Sequence, residues 1–174
     1  MSESKMREGN ISLVLDSYDD IFSDFDPRPY DIRAISGDFL QECRNASRDK
    51  DSSGIELRLL VPKSKRSTRS EGLIRKRLKN HFHKHFLMKR KEIVDRRHKG
   101  FAWVLAGVAF SLLATSLDLA LGFSSKLVFV IAEPAGWFSI WTGFDHIVLL
   151  PKEMKTELEF YRKMSNADIV FANY

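Results

Sequence analysis

"FAWVLAGVAFSLLATSLDLALGFSSKLVFVIAEPAGWFSIWTGFDHIVLL", residues 101–150, decides how the rest of the chain is read. It holds two apolar runs, Phe101–Phe123 and Leu127–Leu150, separated by Ser124–Lys126. Each has the roughly 20 residues that a helix needs to cross a bilayer. A three-residue turn allows only an antiparallel hairpin. Yet the runs carry Asp118, Glu133 and Asp145, and a bare charge at mid-membrane costs at least about 2.5 kcal/mol.

The acids follow a pattern. Glu133, Trp137, Trp141 and Asp145 recur every four residues, forming one slowly drifting stripe on a helix. The two tryptophans sit deep, away from the headgroup belts that indole prefers. Taking Phe101 and Leu150 as the two ends of the hairpin places Asp118 opposite Glu133, so these carboxylates are expected at one depth. The stripe is expected to face protein, either the first span or a second copy. Pro134 takes the helical partner from the Val130 carbonyl. Small residues four apart (Ala102 and Ala106, Gly107 and Ser111, Ala132 and Gly136) permit close helix contact. Two spans alone cannot enclose a polar path, so the stripe argues for a homo-oligomer.

Charge fixes the expected orientation. Residues 1–62 carry net −5, residues 63–100 net +12 and residues 101–174 net −2, which gives the overall +5. Cations crowd the outer flanks of the two runs, and the turn offers only Lys126. The positive-inside rule then predicts a multi-pass protein of the inner or plasma membrane with both termini cytoplasmic. The basic block suits anionic lipid headgroups, at about 1 kcal/mol per cation near the surface. It lacks the aromatic platforms of a nucleic-acid binder. "MSESKMREGN" has no apolar stretch of the kind a cleaved signal carries, so the first span is expected to stay as an anchor. One cysteine, Cys43, excludes an intrachain disulfide.

Outside the hairpin the chain reads as α+β. Residues 1–10 are a polar tail, expected to be disordered. Residues 11–70 form a cytoplasmic domain with strands at Ile11–Leu15 and Ile55–Val61, recognised by alternation. Between them lies a helix from Gly37 to about Arg48, opened by Ser36. Thr68 and Glu71 match a capping box. The box opens a basic helix over residues 71–100, with Ile74, Leu78, Phe82, Phe86 and Ile93 as its apolar members. Residues 151–174 give a polar helix with Met154, Leu158 and Tyr161 in one stripe. A strand at Ile169–Ala172 follows, expected to return to the soluble domain.

Few motifs carry chemistry. His81 and His85 in "HFHKHF" share a helix face at a spacing that can chelate zinc or copper, but the local sequence offers no further ligand. In "SDFDPRPYDIR" the acids lack the glycine and closing glutamate of a calcium loop. They read as turn caps paired with Arg28 and Arg33, with Phe22, Phe25 and Tyr30 packing the loop. No nucleophile motif, phosphate loop or dinucleotide fingerprint is present. The reading is therefore non-enzymatic, with no cofactor.

"DFDPRPYDIR", "KRLKNHFHKHF" and "EPAGWFSIWTGFD" together resemble a family of small prokaryotic membrane proteins of uncharacterised function. The resemblance covers most of residues 20–150. It implies the same architecture, a soluble domain joined by a basic helix to a helical hairpin, and transfers no catalytic residue. The expected function is a membrane protein that self-associates through its hairpin and presents the cytoplasmic domain as a scaffold or sensor. The alternative is an oligomeric cation channel lined by the carboxylates.

Overall fold

The computed structural model describes residues 10–48, 50, 54–118 and 122–174. They form a mixed α+β protein with a three-stranded sheet and long helices. The tail expected over residues 1–10 lies outside the described residues, apart from Asn10, which opens the first strand. The chain divides into two compact units, one made of residues up to Leu87 with Glu157–Tyr174, the other of Met88–Thr156.

The first unit is built on β1 (Asn10–Val14), β2 (Glu56–Val61) and β3 (Asp168–Asn173), adjacent in that order and all parallel. The register sets Leu57 between Ile11 and Ile169, and Leu59 between Leu13 and Phe171. Alternation along β2 buries Leu57, Leu59 and Val61 completely. Parallel neighbours require long crossovers. The first contains α1 (Gly37–Ser47) and the second runs from α2 (Thr68–Asp118) through α3 (Phe123–Phe144) to α4 (Leu150–Asn166). Strand order advances in one direction, so two crossovers of the same hand lay their helices on the same face. The core joins Phe39 and Cys43 of α1, Ile74, Leu78 and Phe82 of α2, and Phe160 and Met164 of α4. Met154 and Leu158, expected in the apolar stripe of α4, are only half-buried, and Phe160 and Met164 fill that role beside Tyr161.

Two local expectations fail for identifiable reasons. Phe25 does not pack the loop; it is 98% exposed. Asp26 accepts from Arg28 and the Ala34 N–H, while its own N–H bonds to the Ser23 carbonyl, closing a turn with Phe25 at its tip. Phe22 and Tyr30 do pack, with rings stacked 5.2 Å apart. The Thr68–Glu71 capping box is absent as well. Ser67 caps α2 by accepting from the Ser70 N–H. Glu71 is buried and turns instead to Arg66 (2.7 and 2.9 Å) and the Tyr18 hydroxyl (2.8 Å). The guanidinium and the phenol hold the Glu71 carboxyl below its usual range despite burial. Loss of solvation makes such a buried carboxylate dependent on its charged partner.

Candidate functional site

The second unit pairs the C-terminal part of α2 with α3. Its seam is made of small residues. On α2 the buried positions include Gly107 and Ala114, and on α3 Ala132, Gly136, Ser139 and Gly143. A Cβ on Gly107 would stand 2.8 Å from the Gly136 carbonyl oxygen; one on Gly143 would stand 2.7 Å from that of Gly100. A Cβ on Gly100 would stand 2.8 Å from the Gly143 oxygen, and one on Gly136 2.6 Å from the Ser111 hydroxyl and 3.1 Å from the Gly107 oxygen. Side chains of Ile147, Ile140, Ser111 and Val104 also crowd these positions, and the backbone atoms behind them cannot swing aside. Glycine here permits backbone-to-backbone approach, the device by which helices associate where solvent gives no hydrophobic drive.

This seam corrects the expected register. Gly143 stands against Gly100, where the hydropathy boundaries put Pro151, and Gly136 stands against Gly107. Gly136 also meets Ser111, and Gly143 meets Val104. Glu133 is therefore level with the stretch Phe110–Ala114 of α2, four to eight residues short of Asp118. At 1.5 Å per residue that separation is roughly 6–12 Å along the helix, so the two backbone positions are not level. Asp118 is the last residue of α2, and its side chain lies outside the described residues. The tighter register also moves the reversal. Ser124–Lys126, expected as the turn, lie within α3, which Gly122 precedes. Ala102 and Ala106, expected in a close contact, are not in the seam and sit on the outward flank beside Lys99 and Trp103.

The stripe on α3 faces outward. Trp137 is 64% exposed, and Glu133 and Trp141 are exposed too. The rings of Trp137 and Trp141 meet edge to face at 6.0 Å, and Trp141 meets Phe144 the same way at 5.8 Å. The Glu133 side chain makes no hydrogen bond or ion pair with any described residue. The first span does not cover the stripe. Neighbouring hydroxyls are satisfied within their own helices: Thr115 donates to the Ser111 carbonyl, Ser116 to that of Leu113 and Ser139 to that of Ala135.

At the other end of α3 the helix widens into one π turn, Asp145–Leu149, and passes directly into α4. Pro151 supplies the cause. It has no N–H for the Ile147 carbonyl, and its ring would strike that carbonyl in a regular helix. Widening the turn gives the Leu150 N–H the Asp145 carbonyl to bond. The second apolar run therefore does not end in a break at Pro151. Such single π turns recur at functional sites.

The histidine pair belongs to the first unit. His81 and His85 lie 4.3 Å apart between ring centroids, and His85 stacks on Tyr161 at 5.1 Å. His83 points elsewhere, with Nδ1 3.2 Å from the Ser165 hydroxyl. Burial, helped by His85, Arg77 and Lys84, pushes the His81 imidazole down to about 4. Among the described residues no third His, Cys, Asp or Glu joins the pair, whereas zinc sites supply three or four protein ligands. The geometry matches aromatic packing of α2 on α4.

Sequence reasoning missed Lys99 as a neighbour of the outward alanines, and it missed the Tyr18–Glu71–Arg66 network. The glycine seam did leave a signal, since Gly100 and Gly107, like Gly136 and Gly143, are seven residues apart. No family model, curated protein or solved structure matches the chain.

Proposed function

We propose that this is an integral membrane protein whose hairpin anchors and self-associates, holding the sheet domain at the membrane as a scaffold or sensor. One observation carries the reading. The most apolar windows of the two long helices reach mean hydropathies of 1.4 and 1.3, yet only 17% and 22% of them is buried. A core helix of a soluble protein spends its apolar surface on contacts within the protein. Here Leu105, Leu112, Ile131 and Phe138 all point away from the seam, apolar surface of the kind that marks a membrane or protein contact. The exposed cations Arg90, Lys91, Arg97 and Lys99 precede this surface, and Lys152 and Lys155 follow it. They suit anionic headgroups on the cytoplasmic side, with both termini there.

Alkaline carbonate washing of membranes tests the anchor. The full chain should stay in the pellet and leave it only with detergent; release by carbonate would refute the reading. A cysteine at Ser124 should react with an impermeant reagent from outside the cell, and labelling only after lysis would reverse the topology.

A cation channel is the second reading, favoured by Glu133. A lipid-facing, unpaired carboxylate is costly, and the closed glycine seam leaves no room for water inside one hairpin. A path lined by Glu133 then has to lie between copies. Reconstituted liposomes would show cation flux that Glu133→Gln reduces, whereas a scaffold leaves them ion-tight.

A further inference from the structure

We propose that neighbouring copies of the chain join head to tail in the membrane, the aromatic ridge of α3 in one copy seating on the alanine groove of α2 in the next, with Lys99 and Asp145 pairing across the contact. The proposal rests on the membrane reading above and specifies the surface that self-association uses. Two shallow apolar depressions mark the outer surface of the hairpin. One has Ala102 and Ala106 as its floor, with Trp103 and Lys99 at its rim. The other is shaped by Trp137, Ile140, Trp141 and Phe144, whose rings are locked edge to face before any partner arrives.

Register makes them complementary. The seam that sets Gly100 against Gly143 and Gly107 against Gly136 puts Ala106 level with the stretch from Trp137 to Trp141. It puts Lys99 level with the stretch from Phe144 to Val148, which includes Asp145. Copies inserted in the same orientation share one depth scale, so levels within a hairpin hold between hairpins. With 3.6 residues per turn, the groove and the ridge lie on opposite sides of the plane through the two helices. A contact between opposite faces is heterologous: it gives a ring where the rotation between copies closes and an open row where it does not.

Chemistry fits the same arrangement. Small residues admit a bulky neighbour where lipid supplies no hydrophobic drive, and the tryptophans leave lipid for protein. Neither the Lys99 nor the Asp145 side chain makes a hydrogen bond or ion pair with a described residue, although Asp145 is half-buried. Between copies, each gains the opposite charge at its own depth.

Disulfide trapping in native membranes tests the contact. Ala106→Cys and Trp141→Cys are made separately in the full chain; native Cys43 is buried and serves as the silent background. Under mild oxidation, mixed expression of the two variants should give a covalent dimer, and the double variant a ladder. Either variant alone should give several-fold less. Dimer from Trp141→Cys alone would mean a symmetric back-to-back contact, and no dimer from any combination would mean the face is free; both overturn the proposal. Carbonate washing of the same samples separates this failure from failure of the membrane reading, because only the latter releases protein. Lys99→Asp and Asp145→Lys should each lower the trapped yield several-fold, and combining them should restore it. A combined variant no better than either single change would remove the charge pair from the contact.

Discussion

Leu57, Leu59, Phe82 and Met164 disappear entirely inside the sheet domain, whereas in the hairpin the buried positions belong to Gly107, Ala114, Ala132 and Ser139. Large apolar side chains there, Leu112 and Ile131 among them, stand outward. Both regions are rich in apolar residues, so hydrophobicity alone does not separate a core from an outer face. Size at the contact does. In water, large side chains move inward because burial is worth about 25 cal/mol per Å². Where the surroundings are themselves apolar, that gain is absent and close backbone contact replaces it.

The strongest way to break this contrast is to delete a large residue from the sheet domain. Phe82→Ala removes a ring packed against Phe160 at 6.2 Å between centroids. It should lower domain stability by about 3–5 kcal/mol, read by denaturant titration. Hairpin retention in membranes should not change. A comparable loss at the hairpin would make the two units one cooperative block.

Next in size is Glu71. Glu71→Ala leaves Arg66 and the Tyr18 hydroxyl without their acceptor and should cost about 1.5–3 kcal/mol in the same titration. Its folded-state carboxyl is held below the ordinary 4.5, chiefly by the bonds from Arg66. The stability it contributes is therefore present above that pH and is lost as pH falls through the folded value. His81 acts in a higher window. It titrates near 4 when folded, against 6.5 when exposed. Between those values the unfolded chain takes up a proton that the folded chain does not, and stability falls as pH drops from 6.5 toward 4. His81→Gln should flatten the profile there and leave the lower, Glu71-dependent fall in place. An unchanged slope between 6.5 and 4 would show that His81 is solvated.

Seam packing comes third. Gly107→Ala puts a methyl group within 2.8 Å of the Gly136 carbonyl oxygen and should cost about 1–3 kcal/mol of hairpin stability. Protease sensitivity of the hairpin in detergent should rise while the denaturant titration of the sheet domain stays fixed. Wild-type behaviour at this position would mean that the helices separate readily.

Legibility in the sequence tracks the distance between cause and effect. The strands were readable because alternation within a few residues decides which side chains face the core, as Leu57, Leu59 and Val61 do. The Tyr18–Glu71 bond joins residues 53 apart, and no local pattern announces it. The capping box misled because Arg66 and the distant Tyr18 hydroxyl both engage the Glu71 carboxylate. Register was missed because hydropathy boundaries drift by a turn or more, whereas four glycines fix it to within about a turn. The stripe residues of α3 were identified together from their spacing, but spacing alone does not say whether they face the first span or the outside.

The smallest expected effect belongs to Leu112, 67% exposed on the outward side of α2. By helical geometry it lies opposite Trp103 and about 120° around the helix from Ala106, two residues of the proposed groove. Replacing it with Ala leaves the glycine seam intact and opens no cavity, because its side chain has few protein neighbours to leave behind. Hairpin stability in detergent should change by no more than about 0.5 kcal/mol, the usual range for surface sites away from special features. The same truncation in the core of the sheet domain, as at Leu59, should cost about 2–5 kcal/mol. The ratio of these two losses measures the contrast between the regions directly. A large loss at Leu112 would mean that this flank is covered too, and the contact between copies would then involve both faces of α2 rather than the alanine groove alone.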